Sequence, residues 1–379
     1  MDYKKKSLIV HKKYRGKIEI KSKIPLKTLS DLSVAYTPGV GAVSTYIGKH
    51  KNKVWELTNR GNAVAIVTDG SAVLGLGNIG PEAALPVMEG KSVIFKEFAN
   101  IDAFPLCLNT QDTEEIIKFC KYIEPSFGGI NLEDIAAPRC FEVLTRLEKE
   151  LKIAVFHDDQ DGSAIVILAA LINACRVTGK ILKELRIVIN GAGAAGIATT
   201  RLLLAAGAKN IILADSQGAI YPGREKLNFY KEQIARKTNR PKLKGDLSEV
   251  IRGADVFIGL SKANLLNFKM VKSMNKTPII FALANPIPEI LPSIALKAGA
   301  AIVGTGRSDY PNQINNALVF PGIFRGLLDG WKDKVTTKMK LSAALSLAYC
   351  LKNPNKNYIL PKITDKNAVK AISRAIKKN

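Results

Sequence analysis

The chain has 379 residues, 47% of them hydrophobic, and a formal charge of +23. That length buries a large core in about two domains, and five scattered cysteines without a C-x-x-C pair exclude a disulfide framework or a zinc ribbon. The longest uncharged apolar run, 164–172, falls far short of the roughly 20 residues of a membrane span, and no secretory leader is legible, so a soluble cytoplasmic protein is expected.

Residues 1–160 carry mixed apolar runs broken by Gly and Pro. Tyr36 precedes a Pro-Gly turn, which can hold a phenol rigidly at a surface, although a packing role is commoner there. Lys91 opens the run Ser92–Phe95; desolvated or beside a metal, its pKa would fall toward the range of a general base. Glu133 and Asp134 stand adjacent, and Asp158, Asp159 and Asp161 crowd four positions after the strand-like run Ile153–Phe156. Carboxylates gathered at a strand end repel one another unless a cation intervenes, and hard oxygen ligands suit Mg²⁺ or Mn²⁺. Spacing alone balances that reading against another, in which Asp161 caps a helix from Ser163 while Asp158 and Asp159 face water. His157 beside them reads as a hydrogen-bonded histidine before it reads as a ligand.

From Ser163 helix and strand patterns alternate. The apolar strand from Leu185 to Asn190 runs into Gly191-Ala192-Gly193-Ala194-Ala195-Gly196, and an apolar helix pattern follows from Ile197 to Ala206. This spacing lets the backbone turn tightly against a pyrophosphate, whose charge is met by the free N–H groups of the helix N-terminus. A second apolar run ends at Asp215, 19 residues after Gly196, where a ribose-binding carboxylate belongs. Further strands at 256–260, 279–283 and 301–303 complete a parallel, doubly wound sheet. Beyond Pro321 the chain reads helical, with an apolar stripe through Leu341, Leu345 and Ala348 that packs back on the body. The lysines are spread along the whole chain rather than clustered, so solvated helix faces explain them better than nucleic-acid binding; the field they create favours anionic substrates.

Several strings together resemble the malic enzymes in their short prokaryotic form. They are Ala35-Tyr36-Thr-Pro-Gly-Val40, Thr68-Asp-Gly-Ser-Ala-Val-Leu-Gly-Leu-Gly-Asn-Ile-Gly80, Leu85-Pro-Val-Met-Glu-Gly-Lys91, Asn131-Leu-Glu-Asp-Ile-Ala-Ala-Pro-Arg139, Phe156-His-Asp-Asp-Gln160 and Asn315-Asn-Ala-Leu-Val-Phe-Pro-Gly322. The resemblance implies an α/β chain: a malic-enzyme-type catalytic and metal domain over residues 1–160, then a Rossmann-like NAD(P)-binding domain over 161–379 that includes the C-terminal helices. It implies oxidative decarboxylation of L-malate to pyruvate and CO₂. Tyr36 would be the acid that protonates the enol carbon and Lys91 the base at the C2 hydroxyl. Glu133, Asp134 and Asp159 would hold Mg²⁺ or Mn²⁺, and Asn285 and Asn316 would contact substrate and the nicotinamide side of the cofactor. A homodimer is also implied.

Two positions depart from the family pattern: Asp161 stands where the short form has histidine, and Ser71-Ala72 replace an arginine that holds a substrate carboxylate in the larger members. Asp215 leans the cofactor toward NAD, with Arg224 near enough in sequence to offset its charge for NADP. Two other functions remain open at this point, an oxaloacetate decarboxylase without redox turnover and a basic dinucleotide-binding regulator.

Overall fold

The structure, a computed structural model, describes residues 3–73 and 75–379; Met1, Asp2 and Leu74, the last inside the Thr68–Gly80 string, lie outside the described residues. Two parallel sheets organise the chain. The first takes β1 (Ala63–Thr68), β2 (Asp102–Cys107), β3 (Gly129–Leu132) and β4 (Ala154–His157) in the order β2-β1-β3-β4. Strands β1, β3 and β4 are buried throughout. Such continuous apolar runs suit a parallel sheet whose crossover helices cover both faces. Those helices are Pro81–Ala99, Thr113–Ile123 and Arg139–Glu150. The first starts with proline in its opening turn, where no N–H is needed, and the second is capped by the Asp112 side chain on the Glu115 N–H. The third turns Cys140, Phe141, Val143, Leu144 and Leu147 inward at helical spacing. Lys91 sits inside Pro81–Ala99, so the run after it is helix.

The second sheet contains β5 (Arg186–Asn190), β6 (Asn210–Asp215), β7 (Gly218–Ala219), β8 (Val256–Gly259), β9 (Ile279–Ala282) and β10 (Ile302–Thr305), ordered β10-β9-β8-β5-β6-β7. Every pairing is parallel except the β6–β7 hairpin. From β5 the chain winds outward through β6, then returns to build β8, β9 and β10 on the other side. The carboxyl ends of β5 and β8 therefore flank a switch-point crevice, the place where open α/β sheets bind ligands. Strand β7 went unread because two residues carry no period.

The helix Ser163–Thr178 joins the two sheets. With the turn before it, it is long and apolar enough to cross a membrane, yet 72% of that window is buried inside the fold, which makes it a core helix. Of the C-terminal helices, Phe320–Gly330 and Lys366–Lys378 return to the helix Pro81–Ala99 on the first sheet, while Thr337–Tyr349 packs on Ser163–Thr178. Phe320 and Phe324 lie 4.7 and 5.4 Å from the Phe95 ring, and Phe324 lies 5.9 Å from Phe156. The stripe expected at Leu341, Leu345 and Ala348 is displaced: Leu345 is 46% exposed, and the inward face runs through Met339, Ala343, Ala344, Leu347 and Ala348. Phe324→Ala removes the ring shared by Phe95 and Phe156 and is expected to cost about 3–5 kcal/mol, read as a lower denaturant midpoint at unchanged slope. A loss below about 1 kcal/mol would show that this cluster does not anchor the C-terminal helices.

The helices Tyr3–Tyr14, Leu29–Ala35 and Gly39–Lys49 contain no buried residue. Their segment exposes a row of large apolar side chains, including Ile20 at 93%.

Candidate active site

Strands β3 and β4 are neighbours paired Leu132 to His157. That register sets the residues leaving β3, Glu133 and Asp134, beside those leaving β4, Asp158 and Asp159. Two acidic clusters far apart in sequence become one. Ligand oxygens of Glu133, Asp134 and Asp159 all lie within 4.8 Å of one another. The Asp134 N–H donates to Asp159 Oδ2 at 2.8 Å, and Asn131 Nδ2 donates to Glu133 Oε2 at 2.9 Å. Asp134 adopts φ +53°, a left-handed conformation uncommon outside glycine and better tolerated by aspartate than by most residues. Buried hard oxygens with excess negative charge fit Mg²⁺ or Mn²⁺.

Lys91 reaches this cluster from its helix. Its Nζ lies 2.9 Å from Glu133 Oε1, is ion-paired with Asp158, and sits 4.5 Å over the Phe320 ring. Burial pushes Glu133 well above the usual carboxylate range, with Asp159, Asp158 and Asp134 adding to the push against Lys91, and burial likewise raises Asp158. For Lys91 burial works downward, but Asp158, Glu133 and Asp159 outweigh it and hold the ammonium above its ordinary value. The lowered pKa expected for Lys91 is thus corrected: desolvation is present, but the carboxylates win.

Asp158 is fully buried, so the water-facing alternative does not hold for it; Asp159 keeps 32% exposure, with its Oδ2 turned to the Asp134 N–H. Nor does Asp161 cap the following helix, because Gly162 occupies that position without a side-chain cap. Asp161 instead pairs with Lys340 at 2.6 Å, and the extra negative charge of this departure is answered from the C-terminal helix. His157 is buried, and among the described residues neither ring nitrogen has a hydrogen-bond partner; its Nδ1 stays 3.7 Å from Asp159 Oδ2. The hydrogen-bonded histidine expected there is not found among the described residues.

The dinucleotide crevice follows β5. Gly191 has φ +121°, and a Cβ there would collide with the Leu260 carbonyl; a Cβ on Gly196 would strike the carbonyl of Gly191. These two let strand, turn and the helix Ala194–Ala205 close together. Among the described residues nothing lies within 4 Å of a Cβ position on Gly193 and no side chain caps the helix behind it, so the helix N-terminus at Ala194 and Ala195 has an open approach for a phosphate, with Ala192 buried in the turn. Asp215 ends β6, where both of its oxygens are engaged: Arg224 Nη1 donates to Oδ1 at 2.9 Å, Arg224 Nη2 to Oδ2 at 2.6 Å, and Lys231 Nζ to Oδ2 at 2.7 Å. Burial pushes Asp215 up, but these two cations outweigh it and hold the carboxyl down at about 2. The corner carries one more positive charge than negative.

Asn285 leaves β9 exposed, and its carbonyl lies against Gly75, so the glycine-rich turn of the first half meets the crevice side of the second. Asn316 is half-buried, its Cβ 3.3 Å from a Cβ position on Gly162 in the acidic loop. Tyr36 stands apart: it is 67% exposed, and among the described residues its side chain makes no hydrogen bond or ring contact. Sequence reasoning missed Asp158 as the partner of Lys91, and it missed Lys231, Lys340 and Arg139. Only Arg139 had a local signal, as the last residue of a quoted string.

The chain matches the family models for the malic enzyme N-terminal domain over residues 15–148 and the malic enzyme NAD-binding domain over residues 160–379. It is 51% identical to the bifunctional malic/malolactic enzyme of Bacillus subtilis, across 100% of this chain and 93% of that protein. It is 54% identical to the NAD-dependent malic enzyme of Geobacillus stearothermophilus, across 95% of this chain and 76% of the relative. The crystal structure of the NAD-dependent malic enzyme from Thermotoga maritima superposes with a TM-score of 0.95 at 48% identity, covering 98% of each chain. Matched in both halves and in the same order, the chain belongs to the malic enzyme family.

Proposed function

We propose that this chain oxidatively decarboxylates L-malate to pyruvate and CO₂ while reducing NAD, in a reaction that depends on Mg²⁺ or Mn²⁺. The observation that carries the reading is Lys91 Nζ held against Glu133 and Asp158 at the edge of the three-carboxylate pocket. Glu133, Asp134 and Asp159 are the residues to hold the cation, and Gly191–Gly196 with Asp215 are those to hold the dinucleotide. When bound, these groups would supply a Lewis acid and a hydride acceptor.

In this reading Lys91 Nζ accepts the proton of the C2 hydroxyl. Asp158 keeps Nζ aimed, and the Phe320 ring shields it from water. Were Glu133 and Asp159 to hold a cation, two of the three carboxylates that favour the ammonium would be neutralised, leaving Lys91 freer to give up its proton before it acts as base. Tyr36 returns a proton to C3, while Asn316 and Asn285 position the substrate and the nicotinamide amide. A purified sample given L-malate, Mn²⁺ and NAD is expected to form pyruvate and NADH in equal amounts and to stop on chelation. A folded protein that reduces neither NAD nor NADP would overturn the reading.

The clamp on Asp215 leaves net positive charge where the adenosine ribose is expected, so NADP is accepted beside NAD. Lys231→Glu reverses that charge and is expected to lower kcat/KM for NADP relative to NAD by roughly tenfold or more, the worth of one charge-assisted hydrogen bond. An unchanged ratio would remove Lys231 from cofactor choice.

The reading takes residues 1–160 as the catalytic and metal domain and 161–379 as the cofactor domain, whose C-terminal helices close on the first sheet. It also takes the chain as a homodimer of the cytoplasm acting on a small molecule. The apolar row on residues 3–46 supports the dimer, since a second copy would cover it and fix the segment that carries Tyr36. Sedimentation equilibrium is expected to give twice the chain mass; a monomer at micromolar concentration would contradict this.

A further inference from the structure

We infer that Arg139 holds the substrate carboxylate that the cation does not, an assignment that rests on the malate reading above. Malate carries two carboxylates into a pocket already lined with acids. The turn after Asp69 offers only Gly70, Ser71 and Ala72 and no cationic side chain, so a cation facing the second carboxylate comes from another element. Lys91 is committed to Asp158 and Glu133, and Lys340 to Asp161.

Arg139 opens the helix Arg139–Glu150 and points back at that turn. Its Nη2 donates to Asp69 Oδ2 at 2.6 Å and to Ser71 Oγ at 3.0 Å. That turn is laced to the acidic loop: the Ala136 N–H donates to Ser71 Oγ at 2.9 Å, and the Ala72 N–H donates to the Asp134 carbonyl at 2.9 Å. The guanidinium therefore stands two hydrogen bonds from the backbone that carries Glu133 and Asp134. Asp69 and Ser71 are buried beneath it and fix its orientation, while the Arg139 side chain keeps 23% exposure. Among the described residues its enclosed Nε has no hydrogen-bond partner, and Nη1 donates to none.

A guanidinium oriented by a buried carboxylate, with N–H groups uncommitted beside a carboxylate-lined metal pocket, is suited to a planar anion. Held there, malate has one carboxylate on Arg139 and the other end toward Glu133, Asp134, Asp159 and Lys91. Substrates with two carboxylates are thereby favoured over 2-hydroxy acids with one.

The test uses Arg139→Gln and Arg139→Lys in the full chain with Mn²⁺, NAD and either L-malate or L-lactate. Arg139→Gln is expected to raise KM for malate about 10- to 100-fold, to leave KM for NAD unchanged, and to shrink the preference for malate over lactate. Mn²⁺ affinity, measured by electron paramagnetic resonance without substrate, is expected to stay within about twofold of the parent. Arg139→Lys, which keeps the charge above Asp69, is expected to regain part of the malate affinity. An unchanged KM for malate, or equal loss of malate and Mn²⁺ affinity in both variants, would overturn the assignment and leave Arg139 as a brace for the 69–72 turn. If the parent protein binds Mn²⁺ but reduces neither NAD nor NADP with malate, the malate reading itself fails, and with it the assignment.

Discussion

Lys91→Met is expected to leave a folded protein that still binds NAD but turns over malate roughly a hundred- to ten-thousand-fold more slowly, the usual worth of a general base. The side chain serves two purposes that this change removes together: it is the proposed base, and it is the cation against buried Glu133 and Asp158. Stranding a buried carboxylate in this way costs several kcal/mol if it stays charged. Burial already pushes both groups up, so protonation relieves the penalty and the fold survives. Lys91→Arg separates the two purposes. A guanidinium preserves the ion pairs but does not give up its proton, so stability is expected to return while turnover does not. Activity in Lys91→Arg near the parent level would show that the charge at this position matters and base catalysis does not.

Asp159→Asn is expected to weaken Mn²⁺ binding by more than the 10- to 100-fold typical of changes beyond the ligands themselves. It removes one of three carboxylates whose oxygens lie within 4.8 Å, yet keeps an oxygen that can accept the Asp134 N–H. Mn²⁺ at a hundred times its dissociation constant should add about 2.7 kcal/mol to the stability of the parent protein. That increment is expected to vanish in Asp159→Asn and to persist in Asp161→Asn, whose charge is matched by Lys340 instead. Equal stabilisation of all three proteins by Mn²⁺ would move the cation elsewhere.

The cofactor half was legible because its signal is local. Strand, glycine turn, helix and acid follow one another within 30 residues, and each needs only its neighbours to be read. The acidic site was legible as two clusters and not as one centre, because the pairing of Leu132 with His157 belongs to the sheet. Lys340 and Asp161 are separated by most of the second half of the chain, and no periodicity links them. The same limit explains the displaced stripe after Thr337: a 3.6-residue period gives a helix its faces, but the neighbours decide which face turns inward. Reading Lys91 by analogy to an isolated buried lysine predicts a lowered pKa. The three carboxylates facing it from β3 and β4 reverse the sign.

The central claim is that the carboxylate pocket on the first sheet and the crevice on the second act on one molecule in one reaction. It is tested most directly with L-malate deuterated at C2, incubated with NAD and Mn²⁺ and analysed by mass spectrometry. One deuterium in NADH for each pyruvate formed, abolished by chelation, is the predicted result. Pyruvate formed with no deuterium in the nicotinamide would contradict it, because the pocket would then be working without the crevice.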